Sequence, residues 1–316
     1  MCTYNGERYL REQLDSILAQ TYPIKEIIIQ DDCSTDGTVA LLRDYERRHG
    51  NVHVYVNTHN KGFNLNFKTA CMRATADLVA ISDQDDVWRR DKIERQAAAI
   101  GQANMCCSTY LRGHSQEHAH EVGMQYSLPA LLFTSSIAGH TMLLRRDFVQ
   151  RDDVWMPRFF YDWSLAVNAW LCGTRQVVRI EEPLVWHRSH DGEAALKHSL
   201  AHFAPQKGRT TWQPYVFGPA AYRRLQGKES WQRFYAHIHD STRGAARNSI
   251  QGLVHRLSGL MLRRDLPSLL RLMWLCMKHR REVYRDRGRT GGVMGVVRGF
   301  CRPFIFAYRC SAFDVR

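Results

Sequence analysis

The chain has 316 residues, of which 44% are hydrophobic and 24% charged, a composition typical of a globular protein rather than a disordered one. The net charge of +13 is concentrated in the last third, where residues 201–316 hold 22 Lys and Arg against 6 Asp and Glu. This asymmetry predicts a polyanionic partner surface, either nucleic acid or anionic lipid, although a generic basic surface would show the same charge.

The cysteines and the apolar runs exclude several classes of protein. Nine cysteines occur without a Cys-x-x-Cys pair or a zinc-ligand spacing, which predicts reduced thiols in a cytosolic protein. No uninterrupted apolar run approaches about 18 residues, so no membrane-spanning helix is expected. The first residues do not resemble a signal peptide.

Helical and strand patterns alternate along the first 82 residues. In residues 6–23, Leu10, Leu14, Ile17 and Leu18 lie on one face of a predicted helix. The segment 33–50 predicts a second helix with Ser34, Thr35 and Asp36 as capping candidates. The remaining predicted elements are strands at EIIIQDD (26–32), VHVYV (52–56) and LVAIS (78–82) and a helix at NLNFKTACMRAT (64–75).

This alternation predicts an α/β fold with a parallel sheet and helices on both faces. Ligands of such sheets bind beyond the carboxyl ends of the strands, where this sequence places polar residues at 3–5, 31–32 and 83–85. No dinucleotide-binding glycine pattern and no P-loop is present.

The start of the chain is unusual for such a fold, because only Met1 to Tyr4 precede the first turn. We expect the first strand to be truncated. We also expect the natural protein to begin a few residues upstream, with an apolar strand leading into Cys2.

An acidic cluster follows the strand at 78–82, in the stretch AISDQDDVWRRDKI (80–93). Asp83, Asp85 and Asp86 would repel one another, and a divalent cation with oxygen ligands relieves such repulsion. The alternative is a solvated acidic turn that caps the next helix.

Several of these segments, together with NKGFNLNF (60–67), resemble the family 2 glycosyltransferases, and the rhamnosyltransferase-like branch is the nearest. The similarity is dense over residues 2–93, resumes at IAGHTMLLRRDF, FFYDWSLAVNAWLCG and VWHRSH, and fades after about residue 200. The resemblance implies a GT-A fold, with a Rossmann-like mixed sheet flanked by helices. It also implies a nucleotide-sugar donor, Mg²⁺ or Mn²⁺, and inversion at the anomeric carbon.

The resemblance assigns donor-binding roles to four residues near the amino terminus. Tyr4 corresponds to the residue that packs on the donor base, and Asp32 to the acid that hydrogen-bonds it. Asp31 is a further donor-binding candidate, with a turn or helix-capping role as the alternative. Asp83 corresponds to the acid near the ribose.

The metal and the catalytic base are assigned in the same way. Asp85 corresponds to the metal ligand, and His190 is a second candidate ligand, with a surface histidine as the alternative. Arg188 is a candidate for neutralising phosphate. Asp162 corresponds to the general base, and its apolar setting would raise its pKa toward the working pH. Its alternative role is the N-cap of a helix at 162–172.

Two further polar residues receive weaker interpretations. Asp86 is expected beside the metal ligands rather than among them. His140 is expected as a core or rim histidine, with the acceptor pocket as its alternative place.

The carboxyl-terminal region 251–316 contains 14 Lys and Arg against 4 Asp and Glu, interleaved with apolar and aromatic residues such as Trp274. This pattern predicts a basic helical region on an anionic membrane surface. The alternative is a helical subdomain that packs on the catalytic core. No recognition motif for nucleic acid accompanies the charge.

The sequence therefore predicts a catalytic domain at 1–200 and a basic, mainly helical region at 201–316. The predicted protein is a metal-dependent inverting glycosyltransferase, cytoplasmic and peripheral on the inner face of the membrane. It would transfer a hexose or deoxyhexose, with rhamnose from a dTDP donor as the leading candidate, to a lipid-linked oligosaccharide or a polysaccharide such as O-antigen. The alternatives are a non-catalytic nucleotide-sugar or glycan-binding module and a basic nucleic-acid-binding protein.

Overall fold

The computed structural model describes residues 1–123, 127–135, 137–172, 177–190, 212–284 and 287–310. These residues form two compact units. The first contains the described residues within 1–124, 137–156 and 160–190, and the second those within 125–136, 157–159 and 191–316. The predicted domain boundary at residue 200 lies outside the described residues, so that boundary stays a prediction.

The first unit contains a parallel sheet of three strands in the order β1-β2-β3. Its strands are β1 (Cys2–Thr3), β2 (Ile27–Asp31) and β3 (Val52–Val56). The register pairs Thr3 with Asp31 and Asp31 with Val56, so the carboxyl ends of all three strands meet at one edge. The polar residues that follow these strands are therefore brought together.

A second sheet of six strands is mixed rather than parallel. It consists of β4 (Leu78–Ala80), β5 (Val87–Trp88), β6 (Met105–Gly113), β7 (His120–Val122), β8 (Met142–Arg145) and β9 (Val177–Arg188). The order is β4-β8-β6-β9-β5, and β7 pairs with β6. Only β6 and β9 run parallel in it, so the mixed sheet implied by the family resemblance is confirmed. The parallel sheet predicted from the alternation over residues 1–82 holds for β1 to β3 but not for β4, which pairs antiparallel with β8.

Three helices of the first unit match the predicted segments 6–23, 33–50 and 64–75, with shifts of up to about five residues at their ends. The helices of this unit are α1 (Glu7–Leu18), α2 (Thr38–Arg48), α3 (Phe63–Met72), α4 (Lys92–Ile100), α6 (Arg146–Val149) and α7 (Tyr161–Leu171); the short α5 (Leu128–Leu131) belongs to the second unit. On α1, Leu10, Leu14 and Ile17 are buried as predicted, which stabilises the fold by about 1.5–3 kcal/mol for each side chain. The N-cap of α2 is Gly37 without a side-chain cap, while Asp36 accepts a hydrogen bond from Thr38 N.

A cavity of about 640 Å³ lies in the first unit beside the short strand β1. Apolar side chains of β2, β4, α3 and α4 form much of its lining, together with Met1 and Trp88. Cys2 N donates to Ser82 O, so β1 is bonded to β2 on one side and to the end of β4 on the other.

The second unit is helical after residue 212. Its longer helices are α8 (Gln213–Gln226), α9 (Glu229–Ser241), α10 (Ile250–Met261), α11 (Leu266–Lys278), α13 (Gly292–Phe300) and α14 (Arg302–Cys310), with the short α12 (Arg280–Val283) between α11 and α13. Trp231, Phe234 and Tyr235 are buried in its core. Within the described part of the chain, no helix is long and apolar enough to cross a membrane.

Candidate functional site

The turns after β1 and β2 are tied to each other by side chains. Asn5 and Cys33 both adopt left-handed backbone conformations, with φ of 48° and 67°. Asn5 N donates to Ser34 Oγ at 2.9 Å, and Thr35 N donates to Asn5 Oδ1 at 2.8 Å. Asparagine tolerates this conformation better than most residues, which explains the Asn at the first turn.

Asp31 is buried, and its carboxylate is engaged by the protein itself. It accepts hydrogen bonds from Thr3 Oγ1 at 2.7 Å, from Ser34 N at 2.8 Å and from Ser34 Oγ at 2.6 Å. These contacts match the turn role given above as the alternative. Donor binding by Asp31 stays a prediction.

Asp32 closes the loop that follows β3. Its Oδ1 accepts from Asn57 Nδ2 and from Lys61 N, both at 2.8 Å, and its Oδ2 accepts from Gly62 N at 2.9 Å. The nearby Asn66 accepts from Asn57 Nδ2 at 2.8 Å and donates to Gln30 O at 2.7 Å. The sequence did not single out this amide network, which fixes Asp32 at the edge of the sheet.

Tyr4 stands at the same edge, and the residue is 49% exposed. Its backbone is held on both sides by one glutamine, because Tyr4 N donates to Gln84 Oε1 at 2.8 Å and Gln84 Nε2 donates to Tyr4 O at 3.0 Å. Gln84 is the middle residue of the Asp83-x-Asp85 motif. An exposed aromatic ring on a fixed backbone can stack on a planar ligand.

Asp85 meets His190 across the site, with Oδ2 and Nε2 2.7 Å apart. Burial raises the pKa of the Asp85 carboxyl, the charge of Asp83 raises it further, and the hydrogen bond with His190 opposes both. The structure thus brings together the two residues that were predicted as metal ligands, although they are 105 positions apart in the chain.

Asp86, the residue after Asp85, forms a second cluster with His140 and His187, in which Asp86 and His140 are buried and His187 is half-buried. Asp86 Oδ1 and His187 Nδ1 are 2.8 Å apart, and the rings of His140 and His187 stack with centroids 4.7 Å apart. Burial lowers the pKa of His140 to about 4, so its imidazole is neutral. Asp86 Oδ2 and His140 Nε2 are buried without a hydrogen-bond partner in the part of the chain that the structure describes.

Both groups have the donor chemistry of a cation site. The ligand atoms of Asp86, His140 and His187 lie within 4.8 Å of one another, and Asp85 with His190 offers a second carboxylate–imidazole set. Carboxylates suit Mg²⁺ or Mn²⁺, and an imidazole ligand favours Mn²⁺ over Mg²⁺. The residues present therefore fit a divalent cation.

Arg188 lies against the predicted metal ligands. Its guanidinium pairs with Glu12, packs over the rings of Tyr9 at 4.8 Å and Trp186 at 4.3 Å, and donates through Nε to Asp85 O at 3.3 Å. A phosphate contact would have to share this guanidinium with Glu12. The phosphate role of Arg188 stays a prediction.

Asp162 lies in the first turn of α7, and the interpretation of this residue as an N-cap is wrong. The N-cap is Phe160, and no side chain caps the helix. Asp162 Oδ1 accepts from Trp163 N at 2.7 Å. Burial raises the pKa of Asp162 to about 7; the bond from Trp163 opposes this shift, and the charge of Asp83 adds to it.

Tyr161, the residue before Asp162, packs closely against Gly139. Tyr161 is buried, stacks on Phe67 with centroids 4.3 Å apart, and donates its backbone N–H to Asn64 Oδ1 at 2.8 Å. A Cβ at Gly139 would lie 2.0 Å from the Tyr161 hydroxyl oxygen, so only glycine leaves room for that side chain. Gly139 therefore helps to fix the beginning of α7.

The amino-terminal half of the chain matches the sequence model of a known protein family. The sequence model for "Glycosyl transferase family 2" matches residues 1–160, half of the chain. The chain belongs to glycosyl transferase family 2. The matched residues contain Tyr4, Asp32, Asp83 and Asp85, whereas Asp162, Arg188 and His190 lie beyond them.

Several curated relatives are similar to parts of this glycosyl transferase family 2 chain. TuaG of Bacillus subtilis (strain 168), a glycosyltransferase named provisionally for teichuronic acid biosynthesis, is 40% identical over 94 residues, 30% of this chain and 37% of that protein. The dTDP-rhamnosyl transferase RfbG of Shigella flexneri is 33% identical over 112 residues, 34% of this chain and 39% of that protein. The chain thus spans less than two thirds of the length of either relative.

Among solved structures, S. aureus TarS 1–349 in complex with UDP-GlcNAc matches with a TM-score of 0.55 at 16% identity. The match covers 98% of this chain and 88% of that one. At this identity it shows a shared fold, so the GT-A fold implied by the sequence is confirmed.

Proposed function

We propose that this chain is an inverting glycosyltransferase that moves a sugar from a nucleoside-diphosphate donor to a hydroxyl of a lipid-linked or polysaccharide acceptor. The observation that carries this proposal is an electrostatic interaction between Asp83 and Asp162, two predicted residues of the site. The charge of Asp83, in the acidic motif, contributes to the raised pKa of Asp162. This electrostatic interaction supports the proposal that the base and the donor-binding acid act in one site.

Asp162 is suited to remove the acceptor proton. A carboxylate with a pKa of about 7 is ionised in a large fraction of molecules at neutral pH and is a far stronger base than an ordinary aspartate. The proton leaves the acceptor hydroxyl as its oxygen attacks the anomeric carbon, and Asp162 holds that proton after transfer. The same residue would set the face from which the acceptor approaches.

The donor would bind along the edge where β1 and β2 end. The exposed Tyr4 ring would pack on the base, and Asp32 would accept hydrogen bonds from it in addition to holding the loop at 57–62. Asp83 would bind the ribose, and Arg188 would lie toward the diphosphate. A divalent cation bound by Asp85 and His190 would supply Lewis-acid stabilisation to the departing nucleoside diphosphate.

The donor that we propose first is dTDP-rhamnose, because RfbG, which is 33% identical to this chain over 112 residues, is named a dTDP-rhamnosyl transferase. We also propose that the second unit lies on the inner face of the cell membrane. Exposed apolar side chains support this placement: Leu266, Leu270 and Trp274 follow one another at four-residue spacing on α11 and are 66%, 50% and 48% exposed. Arg271 and Lys278 on the same helix would meet anionic headgroups.

The test is a panel of dTDP-, UDP- and GDP-sugars with the purified chain, followed by release of nucleoside diphosphate with Mn²⁺, with Mg²⁺ and with EDTA. We expect one donor to be consumed with Mn²⁺ or Mg²⁺, and Asp85→Ala to abolish that activity while the circular dichroism spectrum stays unchanged.

Full activity in EDTA would refute the metal assignment. Donor binding without turnover on any acceptor would favour a binding module. Salt-sensitive DNA binding without donor consumption would favour a nucleic-acid-binding protein.

A further inference from the structure

The helical unit contains a second concave site, remote in sequence from the acidic motif. It is a cavity of about 400 Å³ lined by side chains of α9, α10 and α11 and of the turn between the last two. Five of the lining residues are basic: His239, His255, Arg256, Arg263 and Arg271. No acidic side chain is among the lining residues that the structure describes.

The two histidines form a stacked pair with a defined proton arrangement. Their ring centroids are 3.9 Å apart with an interplanar angle of 14°. His239 Nδ1 lies 3.0 Å from His255 O, and His255 Nδ1 lies 3.0 Å from His239 O. Because a carbonyl only accepts, each Nδ1 carries the proton and donates it. Each Nε2 therefore remains for another partner, and neither has a hydrogen-bond partner within the described ranges.

A glycine makes room for this pair. A Cβ at Gly259 of α10 would lie 2.9 Å from Cε1 and 3.0 Å from Nδ1 of His239. His239 thus packs directly on the backbone of α10, which places its ring at the wall of the cavity. Any larger residue would displace the ring.

The arginines of the cavity form no close ion pair with any residue that the structure describes. Arg256, Arg263 and Arg271 have no salt bridge within the described chain, whereas other arginines of the same unit do, such as Arg233 with Glu229. Arg263 still has an acidic neighbour, because hydrogen bonds from Ser268 and also the charge of Arg263 lower the pKa of Asp265. Arg256 Nε is buried and has no hydrogen-bond acceptor among the described residues. A buried donor without an acceptor destabilises the fold unless a ligand supplies one.

We infer that this cavity is an anion site that takes a phosphate or diphosphate group. Guanidinium groups donate paired hydrogen bonds to phosphate oxygens, and three of them can surround a multiply charged anion. The Nε2 of a neutral imidazole accepts hydrogen bonds, so each histidine donates to the anion only when its ring is protonated. Arg263 and Arg271 are exposed and would reach an arriving anion first, while the half-buried Arg256 and the histidine pair form the wall of the cavity. A basic surface that merely solvates its charges would not require a buried guanidinium nitrogen without a partner.

This inference goes beyond the proposed function, and its test uses no sugar donor. The probe is inorganic pyrophosphate, titrated into the full chain at 0.15 M salt (a physiological ionic strength) and followed by isothermal calorimetry and by the thermal midpoint. EDTA is present throughout, so that a cation-dependent diphosphate site at Asp85 does not contribute. We expect saturable binding and a rise in the thermal midpoint.

The variants are Arg263→Gln and Arg271→Gln, both at exposed positions where the fold should be preserved. Each should weaken pyrophosphate binding by about tenfold or more, the usual effect of losing a charged hydrogen bond. The matched control is Arg264→Gln, which removes the same charge from the neighbouring position outside the cavity and should change the affinity less than twofold. Equal losses in all three variants, or no saturable binding in the wild-type chain, would overturn the inference.

A second arm identifies the source of the phosphate. Vesicles that contain phosphatidate present a phosphate monoester at a lipid surface. If pyrophosphate displaces the wild-type chain from these vesicles but does not displace Arg271→Gln, the site binds a lipid phosphate. Pyrophosphate binding without such competition would assign it to a soluble phosphate compound, and both results support the anion site.

Discussion

Replacement of Asp162 by asparagine should separate activity from stability. The substitution keeps the shape of the side chain and removes its ability to take a proton. Turnover should fall by roughly 10²–10⁴-fold, the range for loss of a general base, with little change in donor affinity. Wild-type turnover should rise with pH through about 7, because only the ionised carboxylate accepts a proton.

The effect on stability follows from the same pKa and has the opposite sign. The pKa of Asp162 is about 7 in the folded chain against the ordinary 3.8 of an unfolded one. The folded state therefore binds the proton more tightly, and the stability present below pH 3.8 is lost as the pH rises toward 7. Each unit of pKa difference corresponds to about 1.36 kcal/mol, so the free energy of unfolding falls by at most roughly 4 kcal/mol between these pH values. Solvent reaches part of the half-buried side chain, which makes the actual fall smaller.

The assay is urea unfolding of wild type and Asp162→Asn at pH 4 and pH 8, in EDTA and without donor. Asparagine carries no charge at either pH, so the variant should gain stability relative to wild type at pH 8 and much less at pH 4. Asp77→Asn, which changes a carboxylate whose side chain is 92% exposed, is the control and should show no such pH dependence. If the difference in unfolding free energy between wild type and Asp162→Asn is the same at pH 4 and pH 8, the pKa of Asp162 is not raised. Unchanged turnover in Asp162→Asn would refute its role as the base.

Three further changes test other parts of the molecule. Gly139→Ala should destabilise the fold by about 1–3 kcal/mol and lower turnover, because the new methyl group collides with Tyr161. Adding Tyr161→Phe to the same chain should restore part of the urea midpoint. A urea midpoint that neither substitution changes would contradict the contact. His187→Ala should lower the free energy of unfolding by about 1–3 kcal/mol, because it removes a hydrogen bond from the buried Asp86 carboxylate, which then faces His140 Nδ1 at 3.5 Å. His59→Ala, at an exposed position, should leave the urea midpoint unchanged. The double variant Leu270→Asp, Trp274→Asp should bind anionic vesicles more weakly than wild type in a sedimentation assay, and equal binding by both proteins would argue against insertion of α11.

The sequence predicted the local elements well because their signals are local. The β-branched run Val52–Val56 matches β3 at both ends, and the apolar face of α1 is buried as its spacing indicated. The pairing of the strands after β4 has no such signal, since β4 pairs with β8 across about 65 positions. Alternation of helix and strand favoured a parallel sheet, and contacts distant in the sequence produced antiparallel pairs instead.

Residues of the candidate site were likewise easier to predict where their signal is local in the sequence. The acidic motif could be chosen because carboxylates behind a strand suggest a cation site, whereas its histidine partner, His190, was chosen only from the family resemblance. The cluster of Asp86 with His140 and His187 could not, because its members come from three segments that only the fold brings together. Gln84 was also missed, since its role depends on the backbone of Tyr4 rather than on its own chemistry.

The cavity beside β1 leaves apolar side chains of the first unit accessible from the surface. Its space of about 640 Å³ is partly open to solvent, and side chains of β2, β4, α3 and α4 form much of its lining. Apolar surface that water can reach favours the binding of small apolar molecules, because their transfer out of water is favourable. We therefore expect the folded chain to bind an apolar fluorescent dye such as ANS without unfolding.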